Sequence, residues 1–397
     1  ITTLVQMEYS AFEEATVPIC SFVLRNGWSR EKALCFRLSD FKGGMDVQKQ
    51  KVLEAIKNKD CGYLYQADEN NFSKIPGSPV AYWVSDKVAD IFNKEHSLST
   101  VAEPKQGLAT TDNNRFVRFW NEVCFDSIGF GYSSEEAQDS KLKWFPLNKG
   151  GEYRKWYGNN DCIVNYQNDG AEIKANVLKK YTYLKTPDFV VKNQPFYFKE
   201  NGTWSAISSG TISVRYSPRG FIISNAGMAI YSTPELLKYI IAFMNSKCVS
   251  KNLIGVINQT INFNAGDIEK LPLVISEAHK DRIVKLCEDC ISISKADWDS
   301  FETSWDFTEH PLVRLSKGLW DATAVGASMA YYYGGHPKVG SPVELCYMLW
   351  QGECNERFNK LKANEEELNR IFIDIYGLGD ELTPEVEDKD VTVRKAD

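Results

Sequence analysis

The stretch KWFPLNKGGEYRKWYGNNDCIVNYQNDG, residues 143–170, decides the fold class of the centre of the chain. Two short apolar runs, Lys143–Phe145 and Cys162–Tyr166, flank a segment rich in Gly and Asn. Gly and Asn favour turns because they tolerate backbone conformations that other residues avoid. The pattern therefore predicts short strands joined by a polar turn rather than a long helix.

The same pattern, short apolar runs separated by Gly, Asn and Pro, extends from Gly107 to Pro272. Further strands are predicted at Phe125–Gly131, Phe189–Val191, Phe196–Lys199, Thr211–Arg215, Phe221–Ser224 and Ala229–Tyr231. Helices are predicted near Asn168–Leu178 and Thr233–Met244, the second because a threonine cap precedes a proline at the first helical position. This part of the chain is thus predicted to be a β-rich domain with two embedded helices.

The flanking regions differ from the centre. Strands are predicted before it at Thr2–Met7, Thr16–Leu24 and Ala33–Leu38, with helices at Asp46–Lys57 and, after the cap Ser85, at Asp86–Asn93. Helices follow it at Glu277–Lys295, Val343–Leu349 and Glu353–Tyr376, the last ended by Gly377. We predict an α+β multidomain chain divided into residues 1–60, a linker and helix at 61–105, the β-rich domain at 106–275 and a helical region at 276–397.

Charge is distributed unevenly along the 397 residues. The chain as a whole carries −7, but residues 140–220 hold 13 Lys and Arg against 6 Asp and Glu, together with 14 aromatic residues. Cations interleaved with aromatic rings suit contacts with phosphates and stacking on bases. Solvated lysines over an aromatic core would give the same composition. Residues 353–397 are acidic, with 13 acids and 7 bases, and are expected to stay away from DNA.

Cysteine usage and hydropathy exclude several classes of protein. Ten cysteines are too few for a disulfide scaffold, and the pair Cys287 and Cys290 lies in a helical pattern without two further zinc ligands. We predict buried thiols, no metal site and a cytoplasmic protein. No run of 18 apolar residues occurs, so neither a membrane span nor a membrane partner is expected.

Motifs for complete catalytic sites are missing from the sequence. There is no phosphate-binding loop, no zinc-protease helix and no serine nucleophile elbow, and Gly129-Phe130-Gly131 does not open a helix. The motif Asn-Pro-Pro-Tyr, which methyltransferases use to hold an exocyclic amine, is also missing. The chain alone is therefore expected to be inactive.

Several segments in order resemble one family. They are residues 1–26, 107–123 (GLATTDNNRFVRFWNEV), 143–170, 202–216 (GTWSAISSGTISVRY), 257–273 (INQTINFNAGDIEKLPL) and 361–385. They resemble the PglX family of adenine-specific DNA methyltransferases from BREX phage-defence systems, which is related to the fused enzymes of restriction-modification systems. The resemblance implies that this chain is the middle to C-terminal part of a larger protein. The motifs that bind the donor S-adenosylmethionine and the target amine would then lie upstream.

The resemblance also implies the identity of two domains and the role of one aromatic residue. Residues 1–60 would carry the terminal strands of a Rossmann-like methyltransferase sheet, and 106–275 would be the target recognition domain. Phe12 matches the phenylalanine that stacks on the extruded adenine in related enzymes. An aromatic clamp offsets part of the cost of extruding a base. An ordinary core phenylalanine before a strand is the alternative.

Residues predicted to face DNA follow from turn chemistry and charge. Glycines allow backbone amides to approach phosphates, Arg can bind guanine or phosphate, and polar turns can bind the DNA backbone. The predicted DNA-binding residues are Thr110, Thr111, Asn113, Asn114, Lys149, Gly150, Gly151, Arg154, Lys155, Trp156, Trp204, Ser205, Arg215 and Arg219. Asn262, Asn264 and Asp267 are instead interpreted as ordering the turn before Leu271.

The leading hypothesis is the DNA target recognition part of an adenine methyltransferase used in phage defence. Its expected partners are double-stranded DNA, the N-terminal half of the same protein and other BREX components. The alternative is a non-catalytic module that docks other defence proteins through the acidic helical end. A carbohydrate- or peptide-binding β-domain is a third class, because aromatic-rich turns also suit sugars.

Overall fold

The computed structural model describes residues 1–8, 19–27, 31–208, 210–258, 260–324 and 342–395. The chain forms two compact units, Ile1–Ser97 and Leu98–Asp397. Both units mix helices with small sheets, so the α+β class is confirmed. Within the described residues, neither residue 60 nor residue 275 lies at the boundary between these units. The assignment of functional domains to these ranges stays a prediction.

A four-stranded sheet organises the first unit. Its elements are β1 (Thr3–Gln6), β2 (Cys20–Val23), β3 (Ala33–Arg37), α1 (Gly44–Lys57), β4 (Leu64–Ala67), α2 (Glu69–Phe72) and α3 (Asp86–Lys94). The strand order is β2-β1-β3-β4, with β1 and β3 parallel and the other neighbours antiparallel. All three strands and both helices predicted in this region are present, while residues 9–18 lie outside the described part of the chain.

Local chemistry explains the helices of the first unit. The Ser85 hydroxyl accepts a hydrogen bond from the Val88 N–H (3.2 Å), which begins α3 at the predicted cap. Gly43 has a φ of 129°, and its N–H and that of Gly44 donate to the buried Glu8 carboxylate, which begins α1. Strand β4 lies in the range predicted as linker and helix, and it forms because it pairs with β3 and buries Ala67.

Two further four-stranded sheets organise the second unit. Their strands are β5 (Glu103–Lys105), β6 (Val117–Phe119), β7 (Trp144–Asn148), β8 (Cys162–Asn165), β9 (Asn201–Ser205), β10 (Val214–Ser217), β11 (Ile222–Ile223) and β12 (Gly227–Tyr231). One sheet has the order β10-β9-β12-β5 and the other β11-β7-β8-β6. All neighbours are antiparallel except β11 and β7.

Helices cover these sheets and make up the end of the unit. They are α4 (Asn113–Phe116), α5 (Ser134–Ser140), α6 (Gln167–Lys180), α7 (Pro234–Asn245), α8 (Ile254–Ile257), α9 (Ala265–Ile268), α10 (Lys280–Trp298), α11 (Pro311–Ala324) and α12 (Pro342–Ile375). The two last predicted helices are one continuous helix, α12. Gly377, with a φ of 64°, follows it as predicted.

Helix α7 is the centre of the second core. Its residues from Tyr239 to Met244 have no exposed surface, because the helix contacts β10 on one side and α10 on another. The Phe243 ring also packs on Phe372 and Tyr376 of the C-terminal region. No single helix among the described residues is long and apolar enough to cross a membrane; α7 passes that test only jointly with the next helical segment, at a 55° bend.

Three predicted strands are wrong, and four observed strands, β4, β5, β6 and β9, were not predicted. Phe125–Ser127, Pro187–Phe189 and Gln194–Phe196 form 3₁₀ turns where strands were predicted. Asn201-Gly202 lies in β9, which was not predicted. A Cβ on Gly202 would be 3.0 Å from the Ile241 side chain, so glycine is used there for close packing of β9 on α7.

A buried ion pair joins α12 to the region between β7 and β8. The Glu365 carboxylate accepts hydrogen bonds from the Lys155 ammonium (2.5 Å) and the Trp156 indole N–H (2.6 Å). All three side chains are almost fully enclosed. Burial alone lowers the pKa of Lys155, but the charge of Glu365 and the nearby Tyr153 offset this, and the pKa lies above its ordinary value.

We expect Glu365→Ala to destabilise the second unit by about 3–5 kcal/mol, because it leaves the Lys155 charge buried and unpaired. Urea unfolding followed by tryptophan fluorescence measures this change. Glu356→Ala is the matched control, since Glu356 is exposed on the same helix and should change stability by no more than about 0.5 kcal/mol. Equal unfolding midpoints for the two variants would contradict the assigned role of Glu365.

Candidate nucleic-acid interface

The predicted polar turn docks on one face of α6. Asn176 donates to the Thr111 hydroxyl (2.8 Å), and Lys180 donates to the Thr111 carbonyl (3.1 Å). Glu172, one turn earlier, forms an ion pair with Arg115 (3.0 Å). These α6 residues are spaced four apart and therefore share a face. We call residues 110–118 together with this face of α6 the turn–helix surface.

Backbone geometry holds the turn in a defined shape. Thr111 has a φ of 61°, and the Asp112 carboxylate caps α4 by accepting from the Arg115 N–H (3.1 Å). Thr110 is buried and donates to the Asn113 side chain (2.5 Å). Asn113 and Asn114 are exposed. Of the four predicted residues in this turn, two anchor it and two remain available to a ligand.

Cations surround the turn–helix surface. Arg118 donates to the Asn114 carbonyl (2.6 Å), and its guanidinium lies 5.9 Å from the Trp144 ring centroid. The Lys143 ammonium lies 5.6 Å from the same ring. The arrangement places positive groups and an aromatic ring beside the exposed asparagines.

A second group of cations begins at the end of α6 and was not among the predicted DNA-binding residues. Residues 179–192, KKYTYLKTPDFVVK, hold four lysines and one aspartate, with Tyr183 75% and Phe189 68% exposed. The turn at Pro187–Phe189 contacts α6, so this lysine–aromatic segment continues the turn–helix surface. The alternation of Lys with Tyr and Phe within the basic region was the signal that could have found it.

The predicted glycine turn and Ser205 come together as well. The Ser205 hydroxyl donates to the Gly151 carbonyl (2.9 Å), and both line a cleft of about 550 Å³ with Tyr153, Thr211 and Lys251. Gly150 has a φ of 87°, and a Cβ there would be 2.8 Å from the Ala226 carbonyl oxygen. Glu152 and Asp390 also line the cleft, so it lacks the net positive charge that phosphates require. Lys149, next to it, is half-buried.

Four predicted DNA contacts are enclosed in the protein, which corrects the expectation that they lie on a basic face. Lys155 and Trp156 bind Glu365, and the Trp204 indole donates to the Phe263 carbonyl (2.9 Å). Arg215 is 2% exposed. These side chains cannot reach a duplex without opening the core, and their roles in this structure are structural.

The two remaining arginines have different surroundings. Arg154 is mostly buried, lies 3.7 Å from the Asp297 carboxylate and stacks over Trp298. Burial lowers the pKa of Arg215 to about 10, and the adjacent Arg154 charge adds to this. Arg219 is 65% exposed and lies 3.8 Å from Glu136. Arg219 is therefore the predicted arginine that a ligand can reach most easily.

Other predicted groups fall outside this interface. Phe12 lies outside the described residues. Cys287 and Cys290 are buried in α10, and burial raises the pKa of the Cys290 thiol well above its usual value. Among the described residues, no three His, Cys, Asp or Glu side chains are grouped so that they could hold a metal ion.

Comparison with known proteins yields two strong matches. The chain is 40% identical over 365 residues to the adenine-specific methyltransferase PglX of Lacticaseibacillus casei (strain Zhang). This alignment covers 91% of this chain and 28% of that protein. The resemblance to PglX is confirmed. The chain is also 34% identical over 375 residues to the adenine-specific methyltransferase BrxX of Escherichia coli O9:H4 (strain HS), covering 92% of this chain and 26% of BrxX.

The match to PglX and BrxX has a defined extent. The chain spans about a quarter of the length of these relatives. No protein-family model matches it. The solved structure of the type IIG restriction endonuclease BpuSI aligns with 96% of this chain. The alignment covers 44% of the BpuSI chain, at 11% sequence identity and a TM-score of 0.31.

We expect Asn176→Ala to loosen the turn–helix surface, because it removes the hydrogen bond to Thr111. A loss of about 1 kcal/mol would speed exchange of the Arg115 and Phe116 amides, both bonded to Asp112, roughly fivefold. Hydrogen exchange read by mass spectrometry or NMR measures this. Gln138→Ala, an exposed site on α5, should leave these amides unchanged. Equal exchange in both variants would show that α6 does not hold the turn.

Proposed function

We propose that this chain supplies DNA target recognition to an adenine-specific DNA methyltransferase of the BREX type, used in phage defence. The whole enzyme would transfer a methyl group from S-adenosylmethionine to the adenine amino group in duplex DNA. The turn–helix surface is the observation that carries this proposal. It combines a fixed polar turn and exposed asparagines with the nearby cations Arg118, Lys143 and Lys180.

Charge supports a polyanionic ligand for this surface. Among the described residues, no carboxylate forms an ion pair with Arg118, Lys143, Lys179, Lys180 or Lys185. Cations without carboxylate partners are available to phosphates, and binding releases the counterions condensed on DNA. The acidic residues of the C-terminal region lie on elements other than α6 and the polar turn. Glu365, for example, lies in α12. The proposed contact with DNA is therefore limited to the basic part of the second unit.

The glycine turn at the start of α1 offers no free N–H groups to the donor S-adenosylmethionine. The Gly43-Gly44 turn opens the 14-residue helix α1, where free N–H groups would attract a carboxylate. Glu8 already accepts both N–H groups, at 3.1 Å and 2.5 Å. We propose that the donor binds to residues outside this chain.

The partners belong to the same proposal. The N-terminal half of the enzyme would supply the donor site, and Phe12 would stack on the extruded adenine. Other BREX components and a cytoplasmic location fit a defence role.

Removing exposed cations from the interface should weaken DNA binding in a salt-dependent way. For Lys143→Ala and Lys179→Ala, we expect the slope of log affinity against log salt to fall by roughly 0.9 for each lost phosphate contact. Fluorescence anisotropy of the 397-residue chain with a mixed-sequence duplex measures the slope. Arg219→Ala should instead relax the sequence preference if Arg219 reads a base.

Lys360→Ala is the matched control, because Lys360 is exposed on α12. It should leave both affinity and slope unchanged. If the interface variants behave like this control, the proposed DNA-binding role of the turn–helix surface and of the cations around it is wrong.

The chain alone should not bind the methyl donor. We expect calorimetric titration of residues 1–397 with S-adenosylmethionine to give no saturable heat, because the glycine turn of α1 is filled by Glu8. A longer protein that contains this chain is the positive control. Micromolar binding by the 397-residue chain would contradict the proposal.

A further inference from the structure

Two exposed aromatic rings stand out in the lysine–aromatic segment. Tyr183 and Phe189 are 75% and 68% exposed, more than any other aromatic side chain among the described residues. The segment does reach the core of the second unit, because its Tyr181, Leu184 and Val190 side chains pack there. The exposure of Tyr183 and Phe189 is therefore not due to the absence of a core nearby. Exposed aromatic rings beside cations are the groups that bind unpaired nucleic acid by stacking.

The backbone that presents these rings is well anchored. The Leu184 N–H donates to the Tyr181 carbonyl (2.9 Å), and the Val190 N–H donates to the Pro187 carbonyl (2.9 Å). The Ala109 N–H donates to the Val190 carbonyl (3.0 Å), and Val191 is 1% exposed. The backbone that carries the rings is therefore ordered before a ligand arrives, which lowers the entropic cost of stacking.

One lysine lies against the Phe189 ring, and others are close to the two rings in sequence. The Lys192 ammonium lies 5.2 Å from the Phe189 ring centroid and donates to Gln106 (3.0 Å). Lys179 and Lys185 are exposed, and Asp188 is the single acid in residues 179–192. Rings that stack, bordered by cations that neutralise phosphates, form a surface that suits unpaired nucleic acid.

We propose that Tyr183 and Phe189 form a stacking platform for unpaired DNA bases, with Lys179 and Lys185 binding the adjoining phosphates. This inference rests on the proposed function, because it takes DNA as the polyanion. It adds a second mode of contact, which recognises base faces exposed when a duplex is locally opened. An acidic protein segment is the competing occupant and is an outcome of the test.

The test measures binding of the 397-residue chain to two probes. One is an oligothymidine strand that contains 2-aminopurine, and the other is a mixed-sequence duplex. We expect Tyr183→Leu with Phe189→Leu to weaken strand binding between about 5-fold and about 150-fold. The change in 2-aminopurine fluorescence on binding should disappear, while duplex affinity and its salt slope stay unchanged.

Two further variants separate the roles. Lys179→Ala with Lys185→Ala should weaken binding to both probes. Tyr347→Leu removes an exposed aromatic ring on α12 and should change neither. Because Tyr183 and Phe189 are exposed, their leucine variants should keep the thermal unfolding midpoint of the parent chain.

Failure of this inference differs from failure of the proposed function. If the leucine variant binds the strand as tightly as the parent, or if the parent binds duplex only, the stacking platform is wrong while DNA recognition stands. If neither probe binds and polyglutamate does, an acidic protein is the occupant, and both proposals fail.

Discussion

The contact of Glu365 with Lys155 and Trp156 is the constraint on which the second unit depends. Trp156 has a φ of 68°, and its N–H and carbonyl pair with Val214 and Tyr216 of strand β10. Glu365 therefore holds the long helix α12, the region after β7 and the edge of a sheet through one carboxylate. Both Glu365 oxygens are bonded, so the buried charge is compensated.

This constraint also divides the basic residues into two classes. Lys155 and Arg215 are turned inward, where their hydrogen bonds fix the packing of neighbouring segments. Lys179, Lys180 and Lys185, at the end of α6 and just after it, are exposed and form no ion pair among the described residues, whereas Lys174 pairs with Asp169 and Arg115 with Glu172. The positive charge of residues 140–220 is thus partly structural, and composition overstates what a ligand would meet.

Local signals predicted much of the fold, and distant contacts account for most errors. Ser85 and Gly377 marked helix ends correctly because capping depends on neighbouring residues. Strand β9 was not predicted, and its Gly202 is required by the close approach of Ile241, some forty residues away in α7. The polar turn at Thr110–Asn114 was predicted as a unit, but its anchor Asn176 lies in another element. Lys155 and Trp156 were assigned to a surface because their partner is far along the chain.

The separation of Lys155 from Glu365, 210 residues in sequence, has a consequence for synthesis on the ribosome. At about 5–20 residues per second, Lys155 and Trp156 are made roughly 10 to 40 seconds before their partner. Throughout that interval the nascent β-rich part carries an indole and an ammonium group with no place to be buried. The growing chain is then most in need of chaperones, and a premature stop codon before α12 would yield a product exposed to cellular proteases.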